Sequence, residues 1–230
     1  MKVLWDRLQQ AYVQLADPLA RWLIRHGVSP NTITTVGTVC TVLAGGLFAF
    51  GHIRAGAWVF GLTAVFDVLD GMVARRSGRA TRFGAFYDST LDRVADGAIL
   101  GGIAIFYAMD PLHRSPAMVA VTVAGVIGAF VTSYTRARAE ALGVDAKVGL
   151  LQRPERVVLL SAPQAFFGLA LDGLVLRVVM VVLTVTAWVT VYQRMQFVYQ
   201  STTTDSLPTS PEPPTLVASV ILPGEHTVAP

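Results

Sequence analysis

Asp67, Asp70, Asp88 and Asp92 stand in an otherwise apolar stretch, spaced i, i+3 and then i, i+4 on either side of a short basic loop. Ionised carboxylates in an apolar setting are costly, so four together require opposite charge. Oxygen donors with no His or Cys beside them suit hard cations such as Mg²⁺, with Mn²⁺ as an alternative, rather than zinc. Four carboxylates suit two such ions, which can clamp the attacking and leaving oxygens of a phosphoryl transfer. Gly71 and Gly84 allow a ligand or helix to approach the backbone closely, and Arg75 follows Asp70 by five residues. Two other chemistries could use the same residues. One is an ion-pair network in which Arg75, Arg76, Arg82 and Arg93 balance the aspartates. The other is the ion path of a cation channel or transporter.

The elements that must carry these residues are helices in a membrane. Of 230 residues 53% are hydrophobic and 14% charged, and the mean hydropathy is +0.54, a balance that excludes an ordinary water-soluble domain. A spanning helix needs about 20 mostly apolar residues. Apolar segments at 32–50, 55–73, 86–109, 117–135, 156–171 and 174–193 predict six spans. Before them, Leu4, Leu8, Tyr12, Leu15, Leu19 and Leu23 recur at helical spacing, with Trp5 and Trp22 suited to a membrane interface. Gly27 stops that helix, and Ser29-Pro30-Asn31 turns the chain inward. The expected fold is an all-α integral membrane protein. It has an N-terminal interfacial amphipathic helix over 1–28, a six-helix membrane domain over 29–200, and a disordered Pro/Ser/Thr-rich tail over 201–230.

Basic residues set the orientation. The short breaks, with the helix start just beyond the last, hold only Arg54, Arg114 and Arg177 of the 18 Lys and Arg. The rest fall in the N-terminal segment, the two longer loops with their flanks, and at Arg194. The positive-inside rule therefore predicts a multi-pass protein of the cell membrane, with both termini and both long loops cytoplasmic. Asp67 and Asp70 then lie in the last turns of the second span, and Asp88 and Asp92 in the first turns of the third. The net charge of +3 is small, and no nucleic-acid partner is expected. Cys40 is a single thiol in an apolar run, and the four histidines are scattered.

At these positions the chain resembles a known family. Asp67, Asp70, Gly71, Ala74, Arg75, Gly84, Asp88 and Asp92 match the fixed positions of the CDP-alcohol phosphotransferase signature. The resemblance implies a CDP-linked lipid donor, two Mg²⁺ ions, and transfer of a phosphatidyl group to an alcohol with release of CMP. It implies Asp67, Asp70 and Asp88 as metal ligands, and Asp92 as both a ligand and the general base. It also implies donor contacts at Gly71, Arg75 and Thr81, and along Asn31, Thr32, Ile33 and Thr34. The family is typically homodimeric.

A second basic set bears on the acceptor. Arg136, Arg138, Arg153, Arg156 and Arg194 are expected at the same membrane level as the aspartates. Arginine offers several fixed donors to phosphate, so the acceptor itself is expected to carry one. Alternatively, these are positive-inside residues with no ligand. The strings Ser133-Tyr134-Thr135-Arg136-Ala137-Arg138-Ala139-Glu140, Arg153-Pro154-Glu155-Arg156 and Thr81-Arg82-Phe83-Gly84-Ala85 are similar to actinobacterial phosphatidylinositol phosphate synthases. That likeness implies inositol phosphate as acceptor, held at Arg136, Arg153 and Arg194, with CDP-diacylglycerol as donor. At position 136 it leads one to expect Lys, and here Arg keeps the charge with a different geometry. Glycerol 3-phosphate, the acceptor of a phosphatidylglycerophosphate synthase, is the alternative that the basic set leaves open.

Overall fold

Helix starts are written plainly in this chain. Pro30 and Pro116 occupy first turns, where a missing N–H costs nothing. Ser29 and Ser115 cap them, accepting from the amides of Thr32 (3.1 Å) and Met118 (3.3 Å). Thr81 caps the carboxylate-bearing helix by accepting from Gly84 N at 2.9 Å. Gln152 and Glu155 form a reciprocal capping box around Arg153-Pro154.

A computed structural model describes residues 16–203. Among these residues the structure is helical: α1 over 16–25, α2 Pro30–Ala49, α3 Ile53–Arg76, α4 Arg82–Met109, α5 Pro116–Ala141, α6 Arg153–Phe167 and α7 Leu174–Thr202. All six apolar segments fold as helices. The beginning of the amphipathic segment and nearly all of the tail lie outside the described residues.

Helices α2–α7 pack as a closed ring in the order α2, α3, α6, α7, α5, α4 and back to α2. Its interior is one apolar core, built on Phe48, Ile53, Phe60, Ile99, Phe106 and Met180. Its outer surface is also apolar, with Leu43, Leu62, Ile105, Ile127 and Val185 exposed. An apolar shell around an apolar core is what a lipid solvent permits. Four helices, α2, α3, α5 and α7, are long and apolar enough to cross a membrane. The other two depart for identifiable reasons. Helix α4 carries Asp88, Asp92, Arg93 and Asp96, and α6 has 15 residues, roughly 22 Å at the usual rise per residue.

Two contacts position the site. Helices α2 and α4 cross where Gly45 meets Ala98 and Gly102, so closely that a Cβ on either glycine would collide with the other helix's backbone. Helix α1 lies against the ends of α2 and α3, with Ala16 and Ala20 packed with Ile33, Leu69, Met72 and Val73. Arg76 donates to Asp17 across that contact and holds its carboxyl below the usual carboxylate range. Gly27 ends α1 at φ +69°, the left-handed conformation that Gly adopts at least cost.

Candidate active site

The end of α3, the start of α4 and the start of α2 come together at one end of the ring. Asp70 is 8% exposed, and its Oδ2 accepts from the Thr34 hydroxyl at 2.7 Å. That hydroxyl also lies 3.1 Å from Pro30 O. Asn31 sits beside the α4 start, its Oδ1 3.5 Å from where a Gly84 side chain would begin. Thr32 closes on the Ser29 hydroxyl at 2.9 Å. Ile33 faces the α1 contact and belongs to the packing there. Arg75 folds back over Gly71, its Nη1 3.1 Å from the place a Cβ would take. Any side chain at 71 would therefore push that guanidinium aside. Of the seven expected donor contacts, six cluster around this corner, and Ile33 is mainly a packing residue.

Asp67 points elsewhere. Its Oδ2 is 3.0 Å from Nη1 of Arg153, and the same Nη1 contacts Oδ1 of Asp92. Arg93 reaches the other oxygen of Asp92 at 3.3 Å. The charge of Asp88 acts on Asp67, Asp70 and Asp92. Residues i and i+3 are offset by about 60° around a helix. That offset sends Asp70 to Thr34 of α2 and Asp67 to Arg153 of α6.

Among the described residues no three acidic, histidine or cysteine side chains are placed as ligands of one ion. A guanidinium supplies the positive charge between Asp67 and Asp92 instead. The donor set still fits hard divalent cations, since it is oxygen throughout and its carboxylates crowd one another. Arg153 occupies one oxygen each of Asp67 and Asp92, and so would compete with a cation for those two atoms.

The basic set divides. Arg153, expected as a phosphate ligand, is the residue that joins α6 to the carboxylates. Arg194 donates from Nε to Val148 O at 2.9 Å and from Nη1 to Thr132 O, and so ties the α5–α6 loop to α7. Arg136 pairs with Glu140 at 3.0 Å on an exposed surface. The charges of Arg136 and Arg156 both act on Arg194, so the three form one positive neighbourhood.

Two residues gain importance from the structure. Asp96 lies 3.8 Å from Arg153 Nε and 3.8 Å from Arg156 Nη2. Its i+4 spacing from Asp92 was available in the sequence, although it falls outside the eight-position signature. Thr34 was legible only as a member of a segment, and its bond to Asp70 makes it a specific support of that carboxylate. Two cavities meet at Arg153. One is lined by Thr34, Thr38, Thr41, Thr63, Asp67 and Asp92. The other has Asp96 and Arg156 at its polar end and Phe60, Leu100, Met180 and Leu183 along its apolar wall.

The chain is similar to known proteins over most of its length. Residues 27–201 match the family described as CDP-alcohol phosphatidyltransferase. A phosphatidylinositol phosphate synthase of Mycobacteroides abscessus is 41% identical over 194 residues, covering 84% of this chain and 87% of the relative. One from Streptomyces avermitilis is 40% identical over 192 residues, covering 80% and 78%. The crystal structure of the Mycobacterium tuberculosis phosphatidylinositol phosphate synthase with CDP-DAG bound superposes with a TM-score of 0.77 at 34% identity. That match covers 85% of this chain and 99% of the other. The same enzyme in complex with manganese and citrate gives a TM-score of 0.76 at 34% identity, covering 84% and 93%.

Proposed function

The chain belongs to the CDP-alcohol phosphatidyltransferase family, and from that premise we propose that it is a membrane-embedded phosphatidylinositol phosphate synthase. It transfers the phosphatidyl group of CDP-diacylglycerol to a hydroxyl of inositol phosphate, 1D-myo-inositol 3-phosphate, and releases CMP. The observation that carries this reading is the meeting of Arg153 with Asp67 and Asp92. The residue read as an acceptor-phosphate ligand and the carboxylates read as donor machinery occupy one site.

The acceptor hydroxyl oxygen attacks the phosphorus that bears the diacylglycerol. The bond from that phosphorus to the bridging oxygen breaks, and CMP leaves with its electron pair. Asp92 takes the proton of the attacking hydroxyl as general base. Asp67, Asp70, Asp88 and Asp92 would hold two Mg²⁺ ions, or Mn²⁺, which when bound neutralise charge on the pyrophosphate. Thr34 holds Asp70 in place for that task. Gly71 leaves room for Arg75 to face the nucleotide, and Thr81 with Asn31 and Thr32 borders the same corner. Arg153, Arg136 and Arg194 face the acceptor phosphate once their present partners are exchanged for it.

The proposal extends to topology. All six ring helices span the cell membrane, α4 with its carboxylates at the cytoplasmic end and α6 as a short span. The closed order of the ring supports this, since α4 and α6 each pack between helices that are apolar enough to cross. Helix α1 lies at the cytoplasmic interface, and the enzyme works as a homodimer. Purified protein given CDP-diacylglycerol and Mg²⁺ should release CMP with inositol phosphate and much less with glycerol 3-phosphate. CMP release with glycerol 3-phosphate alone would reassign the acceptor to that of a phosphatidylglycerophosphate synthase.

A further inference from the structure

Arg153 is the cation on which α3, α4 and α6 converge, and its guanidinium is unevenly engaged. Nη1 meets Asp67 and Asp92, whereas Nε lies 3.8 Å from Asp96 Oδ1, too far for a hydrogen bond. Both Arg153 Nε and Asp96 Oδ2 are buried, and neither has a hydrogen-bond partner. Buried polar atoms are rarely left so: the unpaired Arg153 Nε faces Asp96 Oδ1 and the unpaired Asp96 Oδ2 faces Arg156, so the carboxylate stands a bond short of completion on both sides. A charge-assisted contact closes at about 2.8 Å, so a guanidinium shift on the order of 1 Å would make it. Asp96 follows Asp92 by one helical turn and shares its face of α4. Arg156, one turn after Arg153 on α6, lies equally far, 3.8 Å, from the other oxygen of Asp96.

We propose that Asp96 is a positioning residue, the second seat of the Arg153 guanidinium. It draws Arg153 off Asp67 and Asp92, which frees those carboxylates for cations and turns Arg153 into the cavity that it shares with Arg156. The inference rests on the reading of the aspartate cluster as a cation site. Its physical basis is desolvation. Removing the part-buried Arg153 from the part-buried Asp92 costs desolvation unless another anion receives it, whereas Asp67 is the more exposed partner, at 46%. Asp96 is that anion, and its side chain is 13% exposed. Without it, Arg153 would remain a fixed competitor for the positions that Asp67 and Asp92 must offer.

The test is a double-mutant cycle read by Mn²⁺ affinity, measured by electron paramagnetic resonance on detergent-purified protein without substrate. Asp96→Asn should weaken Mn²⁺ binding about tenfold, within the coupling range of contacting charged residues. Arg153→Ala should tighten it. In the Arg153→Ala background, Asp96→Asn should change affinity by less than about twofold, because the competitor to be reseated is gone. Equal weakening in both backgrounds would mean that Asp96 acts only through its field, and would overturn the proposal. No weakening by Asp96→Asn alone would do the same. Asp96→Glu keeps the charge and should stay within about twofold of the parent, and a loss as large as that of Asp96→Asn also counts against a seat. Failure of the cluster reading looks different: the parent protein would show no Mn²⁺ signal that Asp92→Asn removes.

Discussion

Asp92 is held from two sides, by Arg153 across the ring and by Arg93 beside it. In the proposed mechanism Asp92 is the base, and with a contact at each oxygen the proton that it takes competes with Arg153 and Arg93. Asp92→Asn keeps the size and an acceptor oxygen but cannot take the proton. Turnover should fall by about 10²–10⁴, the usual contribution of a positioned base. CMP release per enzyme measures this, with helicity by circular dichroism as the folding control. Full turnover in that variant would remove Asp92 from the proton transfer. The signature residues were legible because their types and spacings are local. What Arg153 touches was not legible. It lies 61 residues after Asp92, and no spacing rule reports which helix packs beside which. Asp96 was missed for another reason: it shares the face of Asp92 but carries no motif of its own.

At the scale of elements, the close approach of α2 and α4 fixes the distance between Asn31 to Thr34 and the carboxylates. That approach depends on Gly45 and Gly102, where any Cβ would strike backbone. Neighbouring glycines make the contrast, because Gly46 and Gly101 face open space. In a helix interior Ala is favoured over Gly by about 1 kcal/mol. Gly101→Ala should therefore be neutral or slightly stabilising. Gly102→Ala should lose about 1–3 kcal/mol through overpacking, and activity with it, since the α2 corner moves off Asp70. Thermal unfolding of the two variants in one detergent checks the sign of each. Helix positions were legible from Ser29-Pro30, Ser115-Pro116 and the hydropathy breaks. The crossing was not, because four glycines in two helices look alike until the partner helix is present.

For the whole molecule, charge and closure together predict how the ring sits in its membrane. The turn between α3 and α4 follows Arg75 and Arg76 and holds Arg79, with Arg82 at the start of α4. The connection between α4 and α5 holds Asp110, His113 and a single Arg114. These two connections lie at opposite ends of α4, and basic flanks stay in the cytoplasm. The α4–α5 connection is tightly organised. Burial of Asp110 opposes its ionisation. Hydrogen bonds from the His113 ring (2.9 Å), His113 N (2.8 Å) and Leu112 N (3.0 Å) outweigh that and hold its carboxyl below the usual range. Leu112 itself is 84% exposed and reports on its side of the membrane without entering that network through its side chain. In a Cys40→Ser background, Leu112→Cys should react in intact cells with a maleimide that cannot cross membranes. Arg79→Cys should react only after the cells are opened. The opposite pattern would invert the orientation and place the carboxylates outside the cell. Labelling at both sites in intact cells would mean that α4, with Asp88, Asp92 and Asp96 along it, does not cross at all.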